Sequence, residues 1–220
     1  MNRAKLLLTA MIPLRIEWFA QATLNTLQDD DFLDLVQESG GRVIFVGLES
    51  LSEANLYQVN KRWNKPALMQ ETVARLHRHG IAMLGAFIIG LPDDDLGVVD
   101  RIVRFVQEAK IPLVQIAILT PLPGTPVARE LASSMFDRDY RHRDGSRMTF
   151  FHPKVFPPIA FERMLQSAYA RIYSKKAVNE RFNGLSGQHV KLAKRAASIY
   201  RLLTSQWRKK LTFSGLKLKL

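Results

Sequence analysis

The chain has no cysteine among its 220 residues. That excludes disulfide bridges, a thiol nucleophile, and zinc or iron–sulfur sites held by its own thiolates. Histidine is scarce, at five residues, and no two have metal-ligand spacing. The sequence therefore assigns the histidines to the surface and predicts no metal site. No apolar run is long enough to cross a bilayer. Near the N-terminus, Arg3 and Lys5 precede the apolar stretch Leu6 to Ile12, and Ala20-Gln21-Ala22 has the form of a cleavage site. Arg15 and Glu17 interrupt the stretch between them, which favours a short amphipathic helix over a signal peptide.

What is present is globular. Hydrophobic residues make up 47% and charged residues 24%, enough apolar surface to offset chain entropy. The length suits one domain with an appendage. The net charge of +12 is uneven: residues 1–137 carry 13 Lys and Arg against 16 Asp and Glu, and residues 138–220 carry 19 against 4. The two parts meet different surroundings.

Along the chain, short apolar segments alternate with helical patterns. Strands are predicted at 17–23, 42–48, 82–90 and 113–119. Between them lie a helix capped by Asp29, a small one capped by Ser52, and longer ones at 67–79 and 96–109. Thr125 caps a further helix, with Pro126 at its first position. Strands that are hydrophobic throughout imply a parallel sheet covered on at least one face. Right-handed crossovers then give part of a β/α barrel or an open α/β sheet. The predicted fold is thus α/β, a partial (β/α) barrel of about four parallel strands over 1–136. A basic, mainly helical extension follows over 137–220: an irregular loop at 137–156, a helix after Pro157-Pro158, and a last helix at 188–211.

In such folds ligands bind at the carboxyl ends of the strands, so the loops after residues 23, 48, 90 and 119 are the ones to inspect. Glu49 directly follows an apolar strand. Its carboxylate either accepts from ribose hydroxyls or an ammonium, or caps the helix that begins near Ser52. Gly85 and Gly90 mark either close approach of a ligand backbone-on, or a bulge or tight packing. Pro121-Leu122-Pro123-Gly124-Thr125-Pro126 is a rigid turn. Asp93-Asp94-Asp95 reads as a solvated helix start.

Three segments together carry a resemblance. Phe45-Val46-Gly47-Leu48-Glu49-Ser50, Gly85-Ala86-Phe87-Ile88-Ile89-Gly90-Leu91-Pro92 and Leu119-Thr120-Pro121-Leu122-Pro123-Gly124-Thr125 are similar to the radical SAM superfamily, and most to its cobalamin (B12)-binding branch. The likeness covers roughly residues 1–175 and corresponds to the C-terminal half of such an enzyme. It implies S-adenosylmethionine as cofactor. Glu49 would lie near its ribose or methionyl part, and Gly85, Ile88 and Gly90 would border the adenine. Ile118, Leu119 and Thr120 would offer backbone contacts to the base. Gln21 stands where the branch often has Glu.

The family also holds a [4Fe–4S] cluster through a Cys-x-x-x-Cys-x-x-Cys loop and, in this branch, cobalamin. It performs methyl transfer or rearrangement on lipid or tetrapyrrole-like substrates. This chain carries neither the cluster loop, nor the first two barrel strands, nor a cobalamin domain. The sequence-based expectation is a truncated product, one part of a split enzyme, or a repurposed scaffold, with no catalytic residue of its own. A Cys-bearing N-terminal half or another chain would cover the open barrel edge.

The alternative is a basic module on an anionic membrane surface. The last helix, with Leu202, Leu203, Trp207 and its Lys/Arg-rich flank, is set either to lie on such a surface or to form a solvated tail. Nucleic acid ranks lower, since aromatic and basic residues do not interleave. The location implied is cytoplasmic, or peripheral to a membrane.

Overall fold

The computed structural model describes residues 2–154 and 156–213. Helix α1 (Asn2–Met11) precedes strand β1 (Trp18–Gln21). Then follow α2 (Asp30–Glu38), β2 (Gly41–Glu49), α3 (Glu53–Gln58), α4 (Pro66–Arg78), β3 (Ala82–Ile89), α5 (Val98–Glu108) and β4 (Leu113–Ile118). The C-terminal part holds α6 (Pro126–Glu130), α7 (Pro158–Ile172), α8 (Lys175–Phe182) and α9 (Gln188–Phe213). Among the described residues, the four strands form one parallel sheet in the order β1-β2-β3-β4. This is the α/β half-barrel arrangement that the strand–helix alternation predicts.

Local chemistry sets the element boundaries. The Asp29 carboxylate accepts from Phe32 N–H at 3.0 Å and caps α2, whose first turn carries Asp30 and Asp31. Negative charge there suits the helix dipole. Pro66 opens α4, and Arg75, His77 and Arg78 close it. Ser52 caps α3 and Thr125 caps α6 through their hydroxyls. The first strand is shorter than predicted, because the chain turns after Ala22 N–H reaches the Phe45 carbonyl.

Side chains on the sheet alternate between two environments. Ile44, Val46, Leu48, Phe87, Ile89, Val114, Ile116 and Ile118 are buried. On the opposite face, Phe45, Gly47, Leu84, Ala86, Ile88 and Ala117 are half-buried, and Gln115 is exposed. The register pairs Phe45 with Leu84, Gly47 with Ala86 and Ile88 with Ala117 across this more open face.

The two sheet edges differ. At the β4 edge, the Tyr173 hydroxyl bonds both the N–H and the carbonyl of Val114, and the Tyr169 hydroxyl does the same for Ile116. The N–H of Ile118 goes to the Gly145 carbonyl at 2.7 Å. Helix α7 therefore takes the place of a further strand. At the other edge, β1 pairs only with β2 among the described residues, and Phe19 beside that edge is 57% exposed.

Several expectations need correction. Asp94 is buried, not solvated, and so are His152 and His189. His152 Nε2 lies 2.8 Å from the Leu91 carbonyl, and its Nδ1 accepts from Lys154 N–H. These contacts replace water, so burial is tolerated. The 137–156 stretch is less loose than predicted, since Met148, Thr149 and Phe150 are buried in it. Helix α8 was not foreseen: Lys-Lys-Ala-Val-Asn-Glu-Arg-Phe is short and polar, and it is started by the Ser174 cap. The predicted last helix is present, with Val190, Ala193 and Ala197 buried on one side. The expectations for Leu203 and Trp207 lie outside the described side chains.

Candidate functional site

Because the strands are parallel, their carboxyl ends share one rim. Gln21 ends β1, Glu49 ends β2, Gly90 follows β3, and Leu119 and Thr120 follow β4. Glu49, Gly90 and Thr120 thus stand on one side of the sheet, at the ends of three adjacent strands. Ile88 lies just below the rim on the more open face.

Glu49 adopts a left-handed backbone conformation at φ 68, unusual for a residue with a side chain. The ladder between β2 and β3 is irregular between Gly47 and Glu49. Glu49 folds its carboxylate back over Gly47: a Cβ on Gly47 would lie 2.3 Å from Oε1. Gly47 thus makes room for this acid. Lys61 Nζ sits 3.6 Å from Oε1. Asn64 secures the Lys61 loop by donating to the Gly47 carbonyl at 2.9 Å. Glu49 does not cap α3, because Ser52 does. Neither Lys61 nor Asn64 carries a sequence signal, since the loop reaches Glu49 only through the fold.

Gly90 has φ +87, and Met148 packs beside it. The turn after it is held by Asp94, whose Oδ2 accepts from the N–H groups of Gly90 and Leu91 at 2.8 and 3.0 Å. Burial pushes the Asp94 carboxyl up to about 6, against these hydrogen bonds. The 143–154 segment straps this side of the rim. Arg143 donates to the Pro121 carbonyl, His152 meets the Leu91 carbonyl, and Lys154 Nζ donates to the Asp93 carbonyl at 2.6 Å. Burial holds His152 below the usual histidine range, which favours a neutral ring.

Two predicted site residues are placed elsewhere. Gly85 is mid-strand on the covered face, and a Cβ there would meet Leu48 Cδ1 at 2.9 Å and Ile111 Cγ2 at 3.4 Å. The close approach at Gly85 is made by the protein's own side chains. Ile118 is buried on that same face, with its N–H already used. Leu119 N–H is taken by the Ile89 carbonyl at 2.8 Å, and the Thr120 hydroxyl donates to the Ile118 carbonyl. Of these three residues, the backbone N–H of Thr120 is the one with no hydrogen-bond partner among the described residues.

The donor set does not suit an iron–sulfur cluster. There is no thiolate, and no group of three or more His, Asp or Glu is placed to hold a metal among the described residues. An adenosyl group needs no thiolate, and a carboxylate, a glycine turn and a backbone donor on one rim are chemically compatible with its ribose and base. No helix among the described residues is long and apolar enough to cross a membrane.

No family model matches the chain. It is 29% identical over 182 residues to bacteriochlorophyllide d C-12(1)-methyltransferase of Chlorobaculum tepidum, covering 81% of this chain and 39% of that protein. It is 27% identical over 187 residues to hopanoid C-2 methylase of Rhodopseudomonas palustris, covering 79% and 34%. The chain thus spans well under half the length of these curated relatives. Among solved structures it resembles the radical S-adenosylmethionine methyltransferase TsrM of Kitasatospora setae. The TM-score is 0.64 at 13% identity, over 94% of this chain and 51% of that one. TsrM has been seen with a SAM analogue and tryptophan, and with cobalamin and a [4Fe–4S] cluster. The chain therefore has the fold of about half of a radical SAM methyltransferase and is similar in sequence to methyltransferases.

Proposed function

We propose that this chain supplies the adenosyl-binding half of a radical SAM methyltransferase of the cobalamin-binding branch. The observation that carries this is the shared rim of Glu49, the Gly90 turn and the Thr120 N–H. Glu49 would take the ribose hydroxyls, the Gly90–Leu91 turn would border the adenine, and Thr120 N–H would donate to the base. When bound with a cluster, S-adenosylmethionine would supply a 5′-deoxyadenosyl radical. This chain's residues hold no cluster, so its own part is to bind and orient the cofactor. The substrate would be lipid or tetrapyrrole-like, in keeping with the names of the relatives.

The edge asymmetry supports one place for the rest to join. Tyr169, Tyr173 and Gly145 occupy the β4 edge, so a further strand would add beside β1. A Cys-bearing chain would dock there and extend the sheet past Phe19 and Gln21.

Titration calorimetry with S-adenosylmethionine tests the reading. Binding is expected, and Glu49→Ala should weaken it about tenfold, the weight of a charged hydrogen bond. No binding by the wild-type chain, or binding unchanged by the substitution, would overturn it. Co-expression with a neighbouring reading frame that encodes Cys-x-x-x-Cys-x-x-Cys should restore release of 5′-deoxyadenosine.

A second reading has a specific observation behind it. Lys175, Lys194 and Arg201 line one cleft between α8 and α9 with Asn179 and Ser198. Exposed Ile199 and Leu202 flank these residues on α9. An anionic membrane surface would suit this face. Charge reversal at Lys191, Lys194 and Arg195 should then abolish sedimentation with phosphatidylglycerol vesicles. Truncation is a poorer test, because Val190, Ala193 and Ala197 belong to the core.

A further inference from the structure

Between the ends of β2 and β3 lies a buried polar network that the adenosyl-binding reading does not use. Ser50, Asn55 and Asp94 are each almost fully buried. Asp94 Oδ2 accepts from Gly90 N–H and Leu91 N–H, and Oδ1 accepts from Asn55 Nδ2 at 2.8 Å. Asn55 Oδ1 in turn accepts from Asp93 N–H at 2.9 Å. The Ser52 hydroxyl donates to Asp93 Oδ2, and Ser50 Oγ accepts from Ser52 N–H at 3.1 Å. Three of these contacts cross from one loop to the other.

The network begins where the sheet stops. The β2–β3 ladder becomes irregular between Gly47 and Glu49, and its last pair is Glu49 with Phe87. Beyond it both strands leave through left-handed residues, Glu49 and Gly90. Among the described residues, no ladder hydrogen bond fixes the two loops relative to each other past that point. We propose that Asp94 is a positioning residue that holds the Glu49 end of β2 and the Gly90–Leu91 turn at a fixed separation across the rim. This rests on the adenosyl-binding reading for its functional meaning, though the coupling itself is a property of the free protein.

The residue type follows from the donors. Two backbone N–H groups converge on one oxygen and a side-chain amide on the other. An ionised carboxylate offers only acceptors and satisfies all three. With Asp94→Asn, the new NH2 group faces either the backbone donors or the NH2 of Asn55. With Asn55→Asp added, the order of donors is reversed and complete. The new amide oxygen at 94 accepts from Gly90 and Leu91, its NH2 donates to the new carboxylate at 55, and that carboxylate still accepts from Asp93 N–H.

Hydrogen exchange read by mass spectrometry on the ligand-free full chain tests the coupling. Asp94→Asn should speed exchange in peptides covering 49–56 and 90–95 together, by about tenfold, the equivalent of one buried hydrogen bond. Peptides of β4 should not change. The double variant should bring both regions back to within about twofold of wild type. A response confined to 90–95, or no rescue by the double variant, overturns the proposal. If Asp94→Asn does not fold, recovery of folding in the double variant supports it, and failure to recover overturns it.

Affinity for S-adenosylmethionine separates this from the reading it rests on. A roughly tenfold loss in Asp94→Asn that the double variant restores supports both. Equal affinity in all three proteins overturns the positioning role. No binding by any of them, with the coupled exchange intact, removes the adenosyl reading and leaves the coupling standing.

Discussion

The Tyr173 hydroxyl satisfies both backbone groups of Val114: it accepts from the N–H at 2.8 Å and donates to the carbonyl at 2.6 Å. Tyr169, one helical turn earlier, repeats this on Ile116. Strand β4 exposes alternate backbone groups at its outer edge, two residues apart. Helix α7 offers side chains four residues apart on one face. The two spacings match, and an edge that would otherwise invite pairing is closed. The rings stack at 6.0 Å, and Tyr200 of α9 stacks on Tyr173 at 5.0 Å.

Removing that hydroxyl leaves a buried donor and a buried acceptor without partners. Tyr173→Phe should therefore destabilise the protein by about 2–3 kcal/mol, more than an average lost hydrogen bond. Urea denaturation would show this as a lower midpoint with an unchanged slope. A loss under about 0.5 kcal/mol would mean that the edge is satisfied in another way.

Gly85→Ala separates packing from ligand contact. The added methyl would meet Leu48 at 2.9 Å on the covered face, and overpacking of this kind costs about 1–3 kcal/mol. The melting temperature should fall while affinity for S-adenosylmethionine stays the same. A large loss of affinity at unchanged stability would return Gly85 to the binding site.

Asp94 should leave a signature in stability against pH. Its folded pKa is raised to about 6 by burial, against 3.8 for the ordinary group. The native state then binds the proton more tightly than the unfolded chain. Stability from this group is present below about pH 4 and is lost as pH rises through about 6, on the order of 2–3 kcal/mol in all. The wild-type protein and the Asp94→Asn variant, which has no titrating carboxyl at this site, should differ in slope over that range. Parallel curves would contradict the shift.

His152 works in the opposite direction. Burial lowers its pKa below 6.5, and protonation would set a second N–H against the Lys154 N–H that its Nδ1 accepts. Its contribution is present above pH 6.5 and is lost as pH falls through the lowered value. His152→Phe should cost stability at pH 8 and flatten the fall below pH 6.5 relative to wild type. His77 and His189 are also lowered by burial, so the difference between the two curves isolates His152.

Much of the scaffold was legible because it is written locally. Apolar strands, the Asp29, Ser52 and Thr125 caps and the prolines at helix starts each act within a few residues. From them follow the parallel sheet and the rim carrying Glu49, Gly90 and Thr120. The burial of Asp94 and His152 was not legible. An acidic triplet and a histidine in a basic loop look solvated until their partners, Asn55 and Leu91, arrive from distant parts of the chain. Gly85 shows the converse, since its spacing suited a ligand but the space was taken by Leu48.

The amino-acid order alone determined strand polarity, and with it the side of the sheet on which a ligand could sit, because short-range periodicity and capping suffice for that. Tertiary structure decided which edge stays open, which backbone donors remain unused, and which acid is buried. Those outcomes depend on α7, on the 143–154 strap and on the α3 loop meeting the rim, contacts made between residues up to about sixty positions apart.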